Sequence, residues 1–478
     1  MIPIPDILKR LAANYRLDVR AIALMRIAVA LVVIFDLCFR MCSLEAHYTE
    51  TGVWPAKYVF TFLGKPWAWS FHCLFDTYAW ELSLFILHLA VAGLVLIGYK
   101  TRFSTFILYL FTLSLHNRNV YVLQAGDDLL RLCLFWGLFL NWGNAYSIDA
   151  GKKGTIREVS FIGQLGYLGL IASVYLFTVL LKSGNEWRIE GSAIYYALSL
   201  EQLRLPFVGD WLYSQPSLMV VLTRLVYGAE CLIPVLILWP THKKTTYTLA
   251  FLLILLLHLG IALTLYVGLF FIISIVTAIG FLPPRVFDRL EHSIPWLRPR
   301  LLLESSDHGI IRILSLLAGS LAFFFSLMNN LKGLPYFPYE LNPVFARMAN
   351  ASGLEQYWGM FSPDILKKDA WPVLYGIDNQ HRQWDLRTNR DYVDFKKPKR
   401  ILDLYSSDRW RKFSENLQSE YYTFLRAPYC KFMLHRWNTL HPEKQIVNLN
   451  LYFVSKMNLP DYKTSPLKKE LYCVCDEH

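Results

Sequence analysis

The chain has 478 residues, of which 54% are hydrophobic and 18% are charged, and its formal net charge is +11. Soluble domains are usually about 45–50% apolar. The excess here lies in blocks of about 18–24 residues, the length that crosses a ~30 Å hydrocarbon core. The basic residues of the first two thirds cluster in short loops between these blocks, which indicates membrane insertion and argues against nucleic-acid binding.

The apolar blocks predict an α-helical polytopic bundle of about eight or nine transmembrane helices within residues 1–331. One tract, residues 247–282, is too long for a single span. Tyr266-Val267-Gly268 in its middle predicts a tight turn or re-entrant bend between two short helices. In chain order the predicted spans are residues 22–39, 80–98, 103–122, 129–142, 161–182 and 218–239, then the tract 247–282, and finally residues 310–328.

Loop charge predicts the orientation of this bundle, because positively charged loops stay in the cytoplasm. The pattern places the N-terminus in the cytoplasm, at the inner membrane if the source is bacterial. Two crossings within residues 247–282 would place the C-terminal part outside, and one crossing would place it inside; the basic run at 285–300 favours two. The basic residues of the N-terminal segment and of alternate loops are Lys9, Arg10, Arg16, Arg20, Lys100, Arg102, Lys152, Lys153, Arg157, Lys243, Lys244, Arg285, Arg289, Arg298 and Arg300.

Residues 332–478 have a different, more polar composition. Pro335, Pro338 and Pro343 interrupt helical structure at the start of this region. Strands are predicted to begin at Trp371 and at Ile446, where apolar and polar residues alternate. Helices are predicted over residues 406–425 and 429–438. We therefore expect a C-terminal extramembrane α+β domain, external in the favoured orientation.

The eight cysteines show no zinc-type spacing, so the sequence predicts no metal site. Cys473 and Cys475 are separated by one residue, which is too close for an easy mutual disulfide. Either one can pair elsewhere, but spacing alone does not give the connectivity.

Ionisable residues inside apolar spans are costly and usually face a protein interior or a cavity. Arg26 and Asp36 lie about 15 Å apart along the first span, so each needs a partner on another helix, and Glu230 is a further charge deep in the sixth span. In the predicted orientation the residues toward the outer side are Asp36, His116, Arg118, Asp127, Asp128, Arg131 and Lys182. We expect one cavity in the outer half of the bundle, surrounded by Asp36, Arg118, Asp127, Arg131, Lys182 and His258.

Each of these residues also has a simpler structural interpretation. Lys182 would extend its amine to the lipid headgroups, and Arg118 would bind a lipid phosphate or a helix C-terminus. One of the two aspartates that open the fourth span would cap that helix. Asp128 and Arg131 are spaced to pair on one helix face, and His258 would be a hydrogen-bonded core histidine.

A series of short segments, taken together in order and spacing, carries a family resemblance. The segments are Leu24-Met-Arg26 with Asp36, residues 48–52, 98–102, 114–119 and 147–149, Tyr175-Leu-Phe with Lys182 and Trp187, residues 258–268 and 356–363, and Arg409-Trp410. They resemble the HTTM (horizontally transferred transmembrane domain) family, which includes vitamin K-dependent γ-glutamyl carboxylase. The resemblance covers roughly residues 20–285 and, more loosely, the region after them.

The resemblance implies a carboxylase-like membrane enzyme. In such an enzyme a base deprotonates a reduced quinone of the vitamin K or menaquinol type and O₂ oxidises the anion. The strong base that results abstracts a proton from a peptide glutamate or small acid, and the carbanion captures CO₂. Lys182 stands where the carboxylase has a lysine, so the resemblance makes it the base, with His258 as a second catalytic candidate. Candidates for substrate binding or electrostatic stabilisation are Asp36, His116, Arg118, Asp127, Asp128, Arg131, Trp187 and Tyr266.

The partners expected from this resemblance are membrane lipid, a secreted peptide substrate and a quinone reductase, with no nucleic acid. Two other functions fit the same sequence. One is an HTTM-type membrane protein that helps to mature or export a secreted peptide without carboxylating it. The other is a non-enzymatic membrane scaffold whose polar residues only hold helices together.

Overall fold

The computed structural model describes residues 15–151, 160–294, 309–337 and 342–476. The helices of the first part are α1 (Val19–Met41), α2 (Leu44–Tyr48), α3 (Ala56–Phe62), α4 (Tyr78–Ile97), α5 (Thr101–Arg118), α6 (Ala125–Leu140) and α7 (Phe161–Leu181). Those that follow are α8 (Ala193–Ser199), α9 (Val208–Tyr213), α10 (Pro216–Leu238), α11 (Lys243–Thr264), α12 (Phe270–Ala278), α13 (Pro284–Ser293), α14 (Gly309–Lys332) and α15 (Pro343–Ser352). The residues used above that lie outside the described ranges are Lys9, Arg10, Lys152, Lys153, Arg157, Arg298, Arg300 and Pro338.

Within the described residues, five helices are long and apolar enough to cross a membrane, namely α1, α4, α7, α10 and α11. A sixth span is possible if residues Phe270–Phe281 and α13, which meet at a bend of 88°, are counted together. These helices are compatible with a multi-pass membrane protein, and the helical bundle predicted from the sequence is confirmed at that level. The predicted third and fourth spans correspond to α5 and α6, with 18 and 16 residues. The count of eight or nine spans therefore stays a prediction.

The surface of the bundle is apolar where helices α10 and α11 face outward. Leu225 of α10 and Leu256 of α11 are 61% and 66% exposed. A monomer in water rarely presents such continuous apolar helix faces, whereas lipid accommodates them without cost. The exposed leucines therefore fit a bilayer around these two helices.

The ends of the long helices are set by local sequence. The side chains of Asp18, Thr77 and Ser160 accept backbone N–H groups at the starts of α1, α4 and α7, which satisfies donors that a helix start leaves free. Helix α4 ends at Gly98, whose φ of 69° is left-handed and favours glycine. Polar residues within otherwise apolar sequence thus set where these helices begin.

The tract 247–282 folds as two helices, as predicted. Helix α11 ends at Thr264, and α12 begins at Phe270 and packs back against α11. The intervening residues are held by backbone bonds to the loop after α8, since Leu205 N donates to Thr264 O (2.9 Å) and Tyr266 N donates to Leu203 O (2.7 Å). The break predicted at residues 266–268 is therefore confirmed, and it is fixed by pairing with a distant loop.

The C-terminal region contains a four-stranded antiparallel sheet of order β2-β1-β3-β4. Its elements are β1 (Lys368–Asp378), β2 (Gln383–Asp385), α16 (Asp408–Leu417), α17 (Arg426–Leu440), β3 (Ile446–Met457) and β4 (Lys468–Asp476). Strands β1 and β3 and both helices lie where the sequence predicted them, although the helix predicted over residues 406–425 is interrupted after Leu417 and resumes as a 3₁₀ segment, Glu420–Leu425. Strands β2 and β4 were not predicted.

The bundle and the C-terminal region share apolar cores. Leu354 and Trp358 pack in the main core of the bundle. A second core joins Trp54 and Tyr121, from loops at one end of the bundle, to Phe413 of α16 and to other side chains of the sheet region. The residues after α14 are therefore seated directly on the bundle.

A substitution at Gly166 of α7 would test how closely the long helices pack. A Cβ atom at this position would lie 2.0 Å from Cε3 and Cζ3 of the buried Trp136 ring, whereas a Cβ at Gly93 of α4 would meet nothing within 4 Å. We expect Gly166→Ala to lower stability by about 1–3 kcal/mol because of overpacking. Gly93→Ala is the matched control and should be neutral or stabilising by up to about 1 kcal/mol. The measurement is the thermal unfolding midpoint in detergent; equal midpoints for the two variants would contradict the packing.

Candidate functional site

A cavity of about 1230 Å³ lies between the bundle and the C-terminal region. Helices α7, α11 and α12 provide most of one side, and α10 contributes Glu230 to it. The opposite side comes from the loop between α15 and β1 and from α16. The apolar part of the lining includes Val174, Leu203, Leu257, Ile261, Phe270 and Met360, and the charged part includes Asp128, Lys182, Glu186, Glu230, Lys367, Arg411, Lys412 and Glu415.

Lys182 directly follows Leu181, the last residue of α7, and its side chain is only 3% exposed. Its amine donates to Oε2 of Glu230 on α10 at 2.5 Å. The same nitrogen lies 3.8 Å from the centre of the Trp187 ring, a cation–π distance. The interpretation of Lys182 as a lipid-headgroup anchor is thus contradicted by its position, since the amine turns inward to a carboxylate.

His258 of α11 lies on the same cavity wall. Its Nε2 is 3.0 Å from the hydroxyl of Tyr175 on α7, and its ring packs edge-on against Phe270 at 5.2 Å. Its Nδ1 is buried and has no hydrogen-bond partner in the part of the chain that the structure describes. One nitrogen is therefore held by Tyr175, and the other keeps an unused hydrogen-bonding capacity among the described residues.

A loop that precedes β1 closes the cavity above Lys182. Three hydrogen bonds fasten it to α7 and to the turn that follows. Thr178 Oγ1 donates to Trp358 O (2.9 Å), Trp187 Nε1 donates to Phe361 O (2.8 Å), and Gly184 N donates to Pro363 O (3.0 Å). The loop is therefore tied on both sides of Lys182, to α7 before it and to the turn after it.

The rim of the cavity carries paired charges. Lys367 Nζ contacts Glu186 Oε1 at 2.6 Å. Burial opposes ionisation of Glu186, but hydrogen bonds from Lys367 and neighbouring groups outweigh it and lower the pKa of that carboxyl. Asp364 hydrogen-bonds to Glu186, and this contact raises the pKa of Asp364. The rim therefore holds one carboxylate firmly ionised and a second that protonates more readily.

Asp36 and Asp127 belong to a separate network of charges. Arg40 contacts Asp36 at 2.7 Å and Asp127 at 2.6 Å, and Arg409 contacts the same two carboxylates at 2.7 and 2.5 Å. Arg40 also donates to the hydroxyl of Tyr48 at 2.7 Å. Asp36 was expected to need a partner on another helix; it has Arg40 four residues along its own helix and Arg409 from the C-terminal region.

The remaining predicted residues are held by other local contacts. Arg118 donates to Trp54 O (2.7 Å) and to Asp76 (2.8 Å), which excludes the lipid-phosphate interpretation for that side chain. Arg131 contacts Asp128 at 3.0 Å, as its spacing predicted, and donates to Gly353 O at 2.9 Å.

The expectation of one shared cavity is therefore wrong. Of the six residues expected around one cavity, Lys182 and His258 line this one, and Asp36, Arg118, Asp127 and Arg131 do not. Among the other site candidates, Asp128 lines it, whereas His116, Trp187 and Tyr266 do not. The physical reason is that the guanidinium and carboxylate groups neutralise one another and main-chain carbonyls in separate buried clusters, which leaves no common space between them.

The sequence analysis did not assign four residues of the cavity and of the Asp36–Asp127 network to their roles. Arg40 could have been found, because it lies four residues after Asp36 on one helix face. Glu230 was recognised as a buried charge but not as the partner of Lys182. Tyr175 and Arg409 carry no local signal of their role, since Arg409 meets Asp36 across 373 residues of chain.

Comparison of the chain with protein-family models, with curated proteins and with solved structures gives no match. The resemblance to the HTTM family stays a hypothesis based on the residues quoted above. The chemistry of the site must therefore be argued from its geometry.

A substitution at Arg409 would test how strongly the C-terminal region is bound to the bundle. Arg409→Gln removes one cation and leaves two buried carboxylates with Arg40 alone. Breaking a buried ion pair in this way typically costs about 3–5 kcal/mol. We expect the thermal unfolding midpoint to fall sharply and the segment around α16 to become sensitive to limited proteolysis.

The matched control for Arg409 is Lys468→Gln, because Lys468 pairs with Glu470 on an exposed surface. Surface pairs contribute little to stability, so this variant should unfold like the wild-type chain. If both variants have the same thermal unfolding midpoint as the wild type, the network does not hold the C-terminal region in place.

Proposed function

We propose that the chain is a carboxylase-like membrane enzyme that binds a lipophilic quinol in the cavity, oxidises it with O₂ and uses the resulting base to form a carbanion that captures CO₂. The observation that carries the proposal is the buried Lys182 amine, held by Glu230 at the wall of a large and mostly apolar cavity. The resemblance to the HTTM family supports the same function. A peptide or small acid would be the acceptor of CO₂.

The apolar wall formed by α7, α11 and α12 suits a quinol ring and its tail. Val174, Leu257, Ile261 and Phe270 contribute to it, and binding sites for such molecules are mostly apolar with a few placed polar groups. The reduced quinone would supply the reducing power that a protein side chain lacks. The polar groups that would face its hydroxyls are Lys182 and His258.

Lys182 acts as a base only when its amine is neutral. Glu230 makes this state accessible, because moving one proton from the ammonium to the carboxylate converts the ion pair into a neutral amine and acid with no change in net charge. In a desolvated cavity the neutral form loses less hydration than the ion pair does. Lys182 would then accept a proton from the bound hydroxyl, and the ammonium that forms would remain hydrogen-bonded to Glu230.

His258 would orient the other end of the ring. If the Tyr175 hydroxyl donates to Nε2, the proton of the neutral imidazole resides on Nδ1 and points to a guest oxygen. A hydrogen bond from Nδ1 would stabilise an oxyanion as it develops. Tyr175 would in this case be a positioning residue that fixes the tautomer.

Purified protein with a reduced quinone provides the test of this function. We expect O₂ uptake above background in the wild type and a loss of about 10²–10⁴-fold in Lys182→Met, which keeps most of the aliphatic stem. Lys243→Met is a matched control, since Lys243 also lies 3.8 Å from an aromatic ring, that of Tyr15, but away from the cavity.

Two results would overturn parts of this proposal. No O₂ uptake above background with reduced menaquinone or vitamin K would remove the enzyme and favour the scaffold or peptide-maturation functions. Uptake that is equal in the wild type and in Lys182→Met would keep the enzyme and exclude Lys182 as its base.

We also propose that the N-terminus is cytoplasmic and the C-terminal region external, as the loop charges predict. Lys244 lies in the first turn of α11 and Lys463 lies between β3 and β4, and both are exposed. In a cysteine-free background of intact cells, Lys463→Cys should react with a membrane-impermeant thiol reagent and Lys244→Cys should not. If only the Lys244→Cys variant were labelled, the orientation would be the opposite of the one proposed.

A further inference from the structure

Three cysteines meet on one face of the C-terminal sheet. Cys430 lies on α17, and Cys473 and Cys475 lie on β4. In the β3–β4 register Cys473 is opposite Leu451 and Cys475 is opposite Leu449. Alternate residues of a strand point to the same face, and α17 packs against this strand. The topology therefore brings together thiols that are 43 residues apart or more in the sequence.

The three cysteines belong to one apolar core. Cys430 Sγ lies 3.5 Å from the carbonyl oxygen of Leu449, the residue opposite Cys475 in the register. Cys430 is fully buried and Cys475 is 7% exposed, whereas Cys473 is only half-buried. Cys473 is therefore the thiol that an external reagent reaches first.

The surroundings of Cys473 favour its thiolate form. The hydrogen bond from Cys430 lowers the pKa of Cys473 to about 7, with a smaller contribution from the guanidinium of Arg426. Thiolate is the form that attacks disulfides. Cys133 of α6 is a useful contrast. It is fully buried and belongs to a different core from the three cysteines.

Metal binding is the other use of clustered thiols. In residues 15–151, 160–294, 309–337 and 342–476, no three His, Cys, Asp or Glu side chains are arranged to hold a metal ion. Cys473 and Cys475 cannot bridge each other easily, since strand neighbours two apart have Cα atoms about 6.6–6.8 Å apart with parallel side chains. The remaining chemistry is a bridge from the helix to the strand.

We propose that Cys473 and Cys430 form a dithiol–disulfide site that exchanges with an external disulfide. The Cys473 thiolate attacks one sulfur of the oxidant and releases the other as a thiolate, which gives a mixed disulfide. Cys430 loses its proton, attacks the Cys473 sulfur and releases the second thiolate. The two cysteines thus lose two electrons and two protons, and the oxidant disulfide becomes two thiols.

The oxidised site would join α17 covalently to β4, the edge strand of the sheet. Disulfides persist outside the cytosol, so the proposed external orientation would allow this bridge in the cell. The exchange chemistry itself depends on neither that orientation nor the quinol reaction, and it can be measured on the purified chain.

The test uses the reduced full-length protein and oxidised glutathione as the disulfide. After reaction, free thiols are blocked in denaturant and the peptides are mapped by mass spectrometry. We expect a Cys430–Cys473 linked peptide, with Cys133 recovered as a blocked free thiol. If all three cysteines of the cluster are recovered free, or if Cys430 is linked to Cys475, the proposal is overturned.

Variants separate attack from resolution. Cys430→Ser should trap Cys473 as a stable glutathione adduct, because the resolving thiol is gone, whereas Cys475→Ser should leave the Cys430–Cys473 bridge unchanged. Cys473→Ser, at the half-buried position, is a second variant in case the buried substitution prevents folding. It should abolish the bridge and leave Cys430 without glutathione; an adduct at Cys430 would show that Cys473 is not the attacking thiol.

Discussion

The structure depends on a four-membered ionic contact between Arg409 and the bundle. Asp36 and Asp127 lie inside the bundle, and Arg40 alone balances one of their two charges. Arg409 brings the second cation, and each arginine touches both carboxylates. A buried charge without a counterion is far more costly than a neutral cluster. The bundle therefore reaches its lowest free energy only when the C-terminal region is docked, and this one contact couples the two parts of the chain.

The same contact fixes the shape of the cavity. Arg409 stands in the first turn of α16, and Arg411, Lys412 and Glu415 of that helix line the cavity. Helix α16 is continuous over ten residues. Anchoring its start therefore also positions the charged side chains that line the cavity near Lys182. Neither the bundle nor the C-terminal region encloses this space alone. A change in the ionic network would therefore reach the site through the position of α16, with no direct contact to Lys182.

Local sequence patterns predicted the elements of this fold better than their contacts. The long apolar helices, the break at residues 266–268 and strands β1 and β3 follow from apolar runs, turn residues and periodicity, which act over a few positions. Strand β4 has the same alternation but was missed because lysines and a glutamate occupy its start. The error over the shared cavity has another cause. Sequence gives the depth of a charge along a helix but not the direction it faces, and facing decides whether Asp127 meets Arg409 or open space.

The position of Lys182 shows how the proposed base would fit at the end of an apolar helix. Helix α7 ends at Leu181, so Lys182 lies where the apolar wall meets the polar rim. A lipophilic guest would enter beside the apolar residues of α7 and α11, whereas a polar acceptor would approach from the rim that Lys367 and Glu186 form. An amine deeper in the helix would meet only the lipophilic guest. An amine in the loop would be hydrated and would remain an ammonium. The end of α7, beneath the loop before β1, is therefore the place where both proposed guests could meet a buried amine.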